Sequence, residues 1–87
     1  MSVFMVERNL KGIAMADLAA AQKAAISKAV EMSKAGPVIR YIRSVFAPDE
    51  GCCMCLFDAE TRDQVQRLND ELKLPYETIV PALDLTP

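Results

Sequence analysis

The chain has 87 residues, 52% apolar and 25% charged, with a formal net charge of -2, which leaves no basic patch to neutralise a phosphate backbone and excludes nucleic acid as a partner. The apolar content excludes a disordered chain, and no segment reaches the ~18 uninterrupted apolar residues of a membrane span. Three cysteines packed into four positions are an odd count that suits a reducing, cytoplasmic setting better than a disulfide framework.

Val3 to Arg8 reads as a first strand, apolar on both faces until Glu7. The start of the chain lacks a charged region followed by a long apolar stretch, so no signal peptide is expected. Asn9, Lys11 and Gly12 break the strand. From Met15 to Lys34 the chain is alanine-rich without Gly or Pro, which predicts a helix. Leu18, Ile26, Ala29 and Val30 are expected to form its apolar stripe, with Asp17, Lys28, Glu31 and Lys34 opposite. The small alanine side chains are expected to let this helix lie close to a sheet. Lys34, Gly36 and Pro37 supply the stop.

Val38 to Phe46 is rich in β-branched and aromatic residues and reads as a second strand. Ala47-Pro48-Asp49-Glu50-Gly51 has turn chemistry and leads into a hairpin with a third strand, Cys52 to Asp58. The run Cys52-Cys53-Met54-Cys55-Leu56-Phe57 is apolar at odd and even positions alike. Successive strand side chains point to opposite faces, so both faces here favour leaving water. Thr61-Arg62-Asp63-Gln64 has capping-box spacing and starts a second helix. Val65, Leu68 and Leu72 are its expected buried face, Leu74-Pro75 ends it, and Glu77 to Leu85 reads as a last strand.

The order βαββαβ predicts a ferredoxin-like α+β sandwich over residues 1–87 as one domain: an antiparallel sheet in the order 4-1-3-2 with two helices on one face. The doubly apolar first and third strands are then central, and Pro81 falls on an edge, where proline is tolerated. One helical layer covers one face only. The open face therefore predicts a homodimer or higher homo-oligomer, since burying a few hundred Å² at ~25 cal/mol/Å² contributes several kcal/mol before association costs.

No histidine is present, which excludes Ser-His-Asp and Cys-His catalysis, and there is no glycine-rich phosphate loop. Cys53 and Cys55 share a strand face, roughly 6.5–7 Å apart at Cα. That spacing is long for a disulfide and wide for two thiolates on one metal. They read either as small core residues or as thiol ligands. By strict alternation Tyr41 and Arg43 share a face of the second strand and Arg40 points to the other. With Glu7 on the open face, Tyr41 and Arg43 would anchor an anionic or hydroxylated ligand. The competing readings are an edge-strand charge and a salt bridge across a dimer seam. Asp63, Asp70 and Glu71 belong to a solvated helix face.

The segments Phe4-Met5-Val6-Glu7-Arg8, Tyr41-Ile42-Arg43-Ser44, Cys55-Leu56-Phe57-Asp58-Ala59 and Leu74-Pro75 are similar in spacing to a small bacterial ferredoxin-like family of unknown function. One member of that family is described as a nickel-binding, nickel-responsive protein. The resemblance implies the same fold and a small non-enzymatic binding protein, with nickel or zinc as the metal. Imidazole and thiolate suit nickel better than carboxylates alone. Without histidine, a metal site here has to draw on Cys52, Cys53 or Cys55 with Glu7, Asp49, Glu50 or Asp58, and Cys53 and Cys55 are the metal candidates. The alternative is a cofactor-free enzyme or small-molecule binder of the dimeric α+β barrel type, whose pocket candidates are Glu7, Tyr41, Arg43, Cys53 and Cys55. A structural or interaction module is a third reading.

Overall fold

The computed structural model describes residues 1–87 and runs β1 (Ser2–Asn9), α1 (Met15–Ala35), β2 (Ile39–Ala47), β3 (Cys52–Ala59), α2 (Arg62–Glu71) and β4 (Thr78–Ala82). All four strands pair antiparallel in the order β2-β3-β1-β4, which is the ferredoxin-like arrangement expected from the sequence. The doubly apolar strands β1 and β3 occupy the centre. Pro81 sits on the edge strand β4, opposite Phe4.

Parity decides which side chains meet the helices. Phe4, Val6 and Arg8 of β1 and Cys53, Cys55, Phe57 and Ala59 of β3 are buried on the helical side. Val3, Met5 and Glu7, with Cys52, Met54, Leu56 and Asp58, stay half-buried on the other. Ile39, Val65, Leu68, Ile79, Ala25 and Ala29 close the core. Both full capping-box bonds form at α2: Thr61 Oγ1 accepts from the Gln64 amide at 3.4 Å, and the Thr61 amide donates to Gln64 Oε1 at 3.1 Å.

Three expectations are corrected. The buried residues of α1 are Ala25 and Ala29, while Ile26 and Val30 are 44% and 53% exposed. The inward face therefore runs through Leu18, Ala21, Ala25, Ala29 and Met32, of which Leu18, Ala21 and Met32 are half-buried. Lys28 turns toward α2 and pairs with Glu71 at 3.0 Å. The last strand is short, ending at Ala82 and not at Leu85. Beyond it Asp84 meets Arg43 of β2, on the opposite edge of the sheet, at 3.1 Å, so the chain past Ala82 lies back across the open face.

The third correction concerns register. Tyr41 opposes Phe57 and Arg43 opposes Leu56, with a shift between them at Ile42. One extra residue on β2 faces no partner of its own, and such a bulge reverses the parity of everything that follows. Tyr41, Ser44 and Phe46 consequently share the helical side, while Arg40, Arg43 and Val45 share the open side with their partners Asp58, Leu56 and Met54. Tyr41 and Arg43 do not share a face.

Candidate functional site

Between the sheet and the first half of α1 lies a cavity of about 380 Å³. Its origin is a shortage of side-chain volume. Ala21 and Ala25 occupy the inward positions of α1 where longer residues would reach the strands, and Leu10, Ile13, Leu18, Phe46 and Leu74 form apolar walls around the space. The alanines thus leave a hollow over the first half of α1, while Ala25 and Ala29 are themselves buried in the core. The loop between β1 and α1 makes the rim. It is pinned where the Leu10 amide donates to the Gly51 carbonyl at 2.7 Å.

The strands supply the polar lining. Arg8, Cys53 and Cys55 come from β1 and β3, and Tyr41 and Ser44 from β2, with Gln22 reaching in from α1. Gln22 Nε2 donates to Tyr41 Oη at 2.9 Å, Tyr41 Oη and Ser44 Oγ are 2.5 Å apart, and Ser44 Oγ donates to Cys55 Sγ at 2.9 Å. Each hydroxyl has one proton to give. With Ser44 giving its proton to sulfur, Tyr41 must give its own to Ser44, and the relay runs one way from Gln22 to Cys55. The Tyr41 ring is held edge-on to Phe57, centroids 5.5 Å apart.

Cys55 and Cys53 bring their sulfurs to 3.9 Å. Burial pushes the Cys53 thiol up to about 11, the adjacent Cys55 adds to the rise, and Arg8 works in the opposite direction. Cys53 is therefore a neutral thiol near pH 7. Arg8 faces Cys53 directly across β1 and β3. Its Nη2 donates to Asn69 Oδ1 at 2.9 Å and its Nη1 to the Pro75 carbonyl at 3.1 Å. Asn69, fully buried on α2, is locked by donating from Nδ2 to the Val65 carbonyl at 2.8 Å.

The five residues expected to form a pocket divide between two faces. Tyr41, Cys53 and Cys55 converge on the cavity. Glu7 and Arg43 lie on the open side, where Glu7 accepts from Thr78 Oγ1 at 3.0 Å and Arg43 pairs with Asp84. Sequence reasoning missed Arg8, Gln22, Ser44 and Asn69. The signal for Arg8 was present: it follows Phe4 and Val6 at strand spacing, so any assignment that buries those two buries Arg8 as well.

As metal donors, the thiols have favourable spacing and too few companions. Two thiolates on one tetrahedral ion at ~2.3 Å stand about 3.8 Å apart, close to the observed separation. However, nowhere do three His, Cys, Asp or Glu side chains converge, and the nearby oxygen donors, Ser44 and Tyr41, are neutral hydroxyls that suit nickel poorly. The donor set of one chain is half a site, and the residues present do not fit a nickel centre by themselves.

A family model described as "Nickel responsive protein SCO4226-like" matches residues 4–81. The crystal structure of SCO4226 from Streptomyces coelicolor A3(2) superposes with a TM-score of 0.78 at 21% sequence identity, covering 99% of this chain and 100% of that one. At such identity the likeness speaks for the fold. No curated protein matches the chain.

Proposed function

The chain belongs to the SCO4226-like family of nickel-responsive proteins, and from that premise and the geometry of its cavity we propose that it is a small binding protein whose ligand is a compact organic molecule held between α1 and the sheet. The observation that carries this reading is the cavity itself: about 380 Å³, walled mostly by apolar side chains and furnished with a few convergent polar groups. That combination is what small-molecule sites share. A core of this size normally fills its interior to crystal-like density, so a hollow lined by an ordered Gln22–Tyr41–Ser44–Cys55 relay has a use beyond packing.

The test is a neutral fluorescent probe, N-phenyl-1-naphthylamine, titrated into the reduced protein. Fluorescence enhancement that disappears in Ala21→Phe, which fills the cavity from α1, is the expected result. No enhancement in the parent protein overturns the reading.

A second reading places a soft metal ion on Cys53 and Cys55, supported by their 3.9 Å sulfur separation and by the family's description. It requires further donors from a second molecule or from the ligand. Native mass spectrometry with one equivalent of nickel or zinc tests it. Retained metal that is lost in the Cys53→Ser, Cys55→Ser double variant supports the thiols, and retention in that variant removes them. Self-association through the open sheet face accompanies either reading, because Val45 and Val80 remain 60% and 36% exposed there and Leu83 and Leu85 are more exposed still.

A further inference from the structure

Arg8 is 95% buried in terms of its 5% residual exposure, yet no carboxylate pairs with it. The ion pairs of the protein join Lys28 to Glu31 and Glu71, Arg40 to Asp58, Arg43 to Asp84, and Arg67 to Glu71. The two acceptors that Arg8 does find, Asn69 Oδ1 and the Pro75 carbonyl, are neutral. Cys53 opposite it is a neutral thiol, and the cavity lining holds no Asp or Glu. An acidic chain thus encloses a hollow whose one formal charge is positive.

A buried cation without a counter-ion is costly, because hydrogen bonds to neutral groups replace only part of its hydration. If tying α2 to β1 were its whole task, a neutral amide would serve. The guanidinium has five N–H donors, and the fold takes one from each Nη. Nε has no protein acceptor and is not sealed from the space beside it. Asn69, locked in turn by Val65, fixes the plane of the fork. The remaining donors are therefore held in place without being used, inside a concave apolar site where a positive potential is screened least.

We propose that Arg8 is the anion-recognition residue of the cavity and that the ligand is a monocarboxylate with a compact apolar body, one aromatic ring being a suitable size. This rests on the cavity reading and specifies its ligand class. A single carboxylate matches both the charge and the planar fork, whereas a phosphate dianion would leave one charge unbalanced. The apolar body lies along Leu10, Leu18, Phe46 and Leu74. The relay that starts at Gln22 and Tyr41 sits on the β2 side of the same space, available to a hydroxyl or keto substituent.

The experiment compares 3-phenylpropionate with its uncharged amide, 3-phenylpropionamide, by calorimetry on the intact reduced protein, alongside the neutral naphthylamine probe. Binding of the acid at least tenfold tighter than the amide is expected. Arg8→Gln and Asn69→Asp should each remove that preference while keeping the neutral probe bound, the second by supplying Arg8 with a counter-charge from within the fold. Equal affinity for acid and amide overturns the anion assignment and leaves the cavity reading standing. Failure of acid, amide and neutral probe alike overturns both. The acid–amide comparison needs no variant, so a folding defect in Arg8→Gln does not shield the proposal.

Discussion

Cys53 shows how one buried side chain couples the cavity to pH. Its thiol titrates at about 11 in the folded protein because burial disfavours the thiolate, against ~8.5 in an unfolded chain. Between those values the unfolded state has released a proton that the native state keeps. Stability is therefore fully present below the unfolded value and is lost as pH rises toward the folded one. Urea midpoints are expected to fall between pH 8 and 10.5 in the parent protein, and to fall less in Cys53→Ala. Iodoacetamide at pH 8 is expected to label native Cys53 far more slowly than the unfolded chain. Asn69 gives a second case. Asn69→Ala removes an acceptor from a buried guanidinium and is expected to cost about 3 kcal/mol, read as a lowered denaturation midpoint. Cys53 was legible in the sequence as a small core residue, but Asn69 was not: it lies one position beyond the apolar stripe Val65–Leu68, and an asparagine there reads as solvated until Arg8 is known to face it.

At the scale of elements, local chemistry specifies the ends better than the middles. The Thr61–Gln64 capping box was legible because its two side chains and two amides form a closed local exchange. Thr61→Ala is expected to cost about 1 kcal/mol, measured as a drop in Tm. The hairpin turn was legible too, but its tight junction was not. Gly51 has φ +77°, and a Cβ there would sit 2.5 Å from the Lys11 backbone. Gly51→Ala is expected to destabilise by more than about 1 kcal/mol and to weaken probe binding, since Lys11 belongs to the loop that carries the rim residues Leu10 and Ile13. The α1 stripe was right at Leu18 and Ala29 and misjudged at Ile26 and Val30, for a different reason. Large residues Ile26 and Val30 outweighed alanines in the periodicity, and yet small volume is what put Ala25 and Ala29 against the sheet. The bulge at Ile42 carries no glycine or proline to announce it, which is why strict alternation put Tyr41 and Arg43 together.

The whole molecule has a finished side and an unfinished one. The helical side buries Phe57, Val6, Val65 and Leu68 completely, while the open side is crossed only by the segment that brings Asp84 to Arg43. An exposed ion pair of this kind contributes well under ~1 kcal/mol and is screened by salt. It does not seal a face that carries Val45, Met54, Leu56 and Val80. Light scattering after size-exclusion chromatography is expected to give a dimer or larger species, and Val45→Glu is expected to shift it toward monomer without changing the helical circular dichroism. A monomer at tens of micromolar overturns that expectation. The topology was readable because β1 and β3 had to be central; which parity met the helices was not, since both faces of those strands are apolar.

Ile42 gives the fold an unusual relation to genetic change. Elsewhere on a strand, replacing a residue alters one environment. Losing one there flips every side chain beyond it to the other face, whereas losing Ile42 would leave Tyr41, Arg43 and Ser44 in strict alternation, still opposite Phe57, Leu56 and Cys55, and the relay would keep its face. Such a deletion also leaves net charge and polar inventory unchanged. At Ile42, then, the fold tolerates both a change of side chain and the loss of the residue, because the strand meets the same partners with or without it.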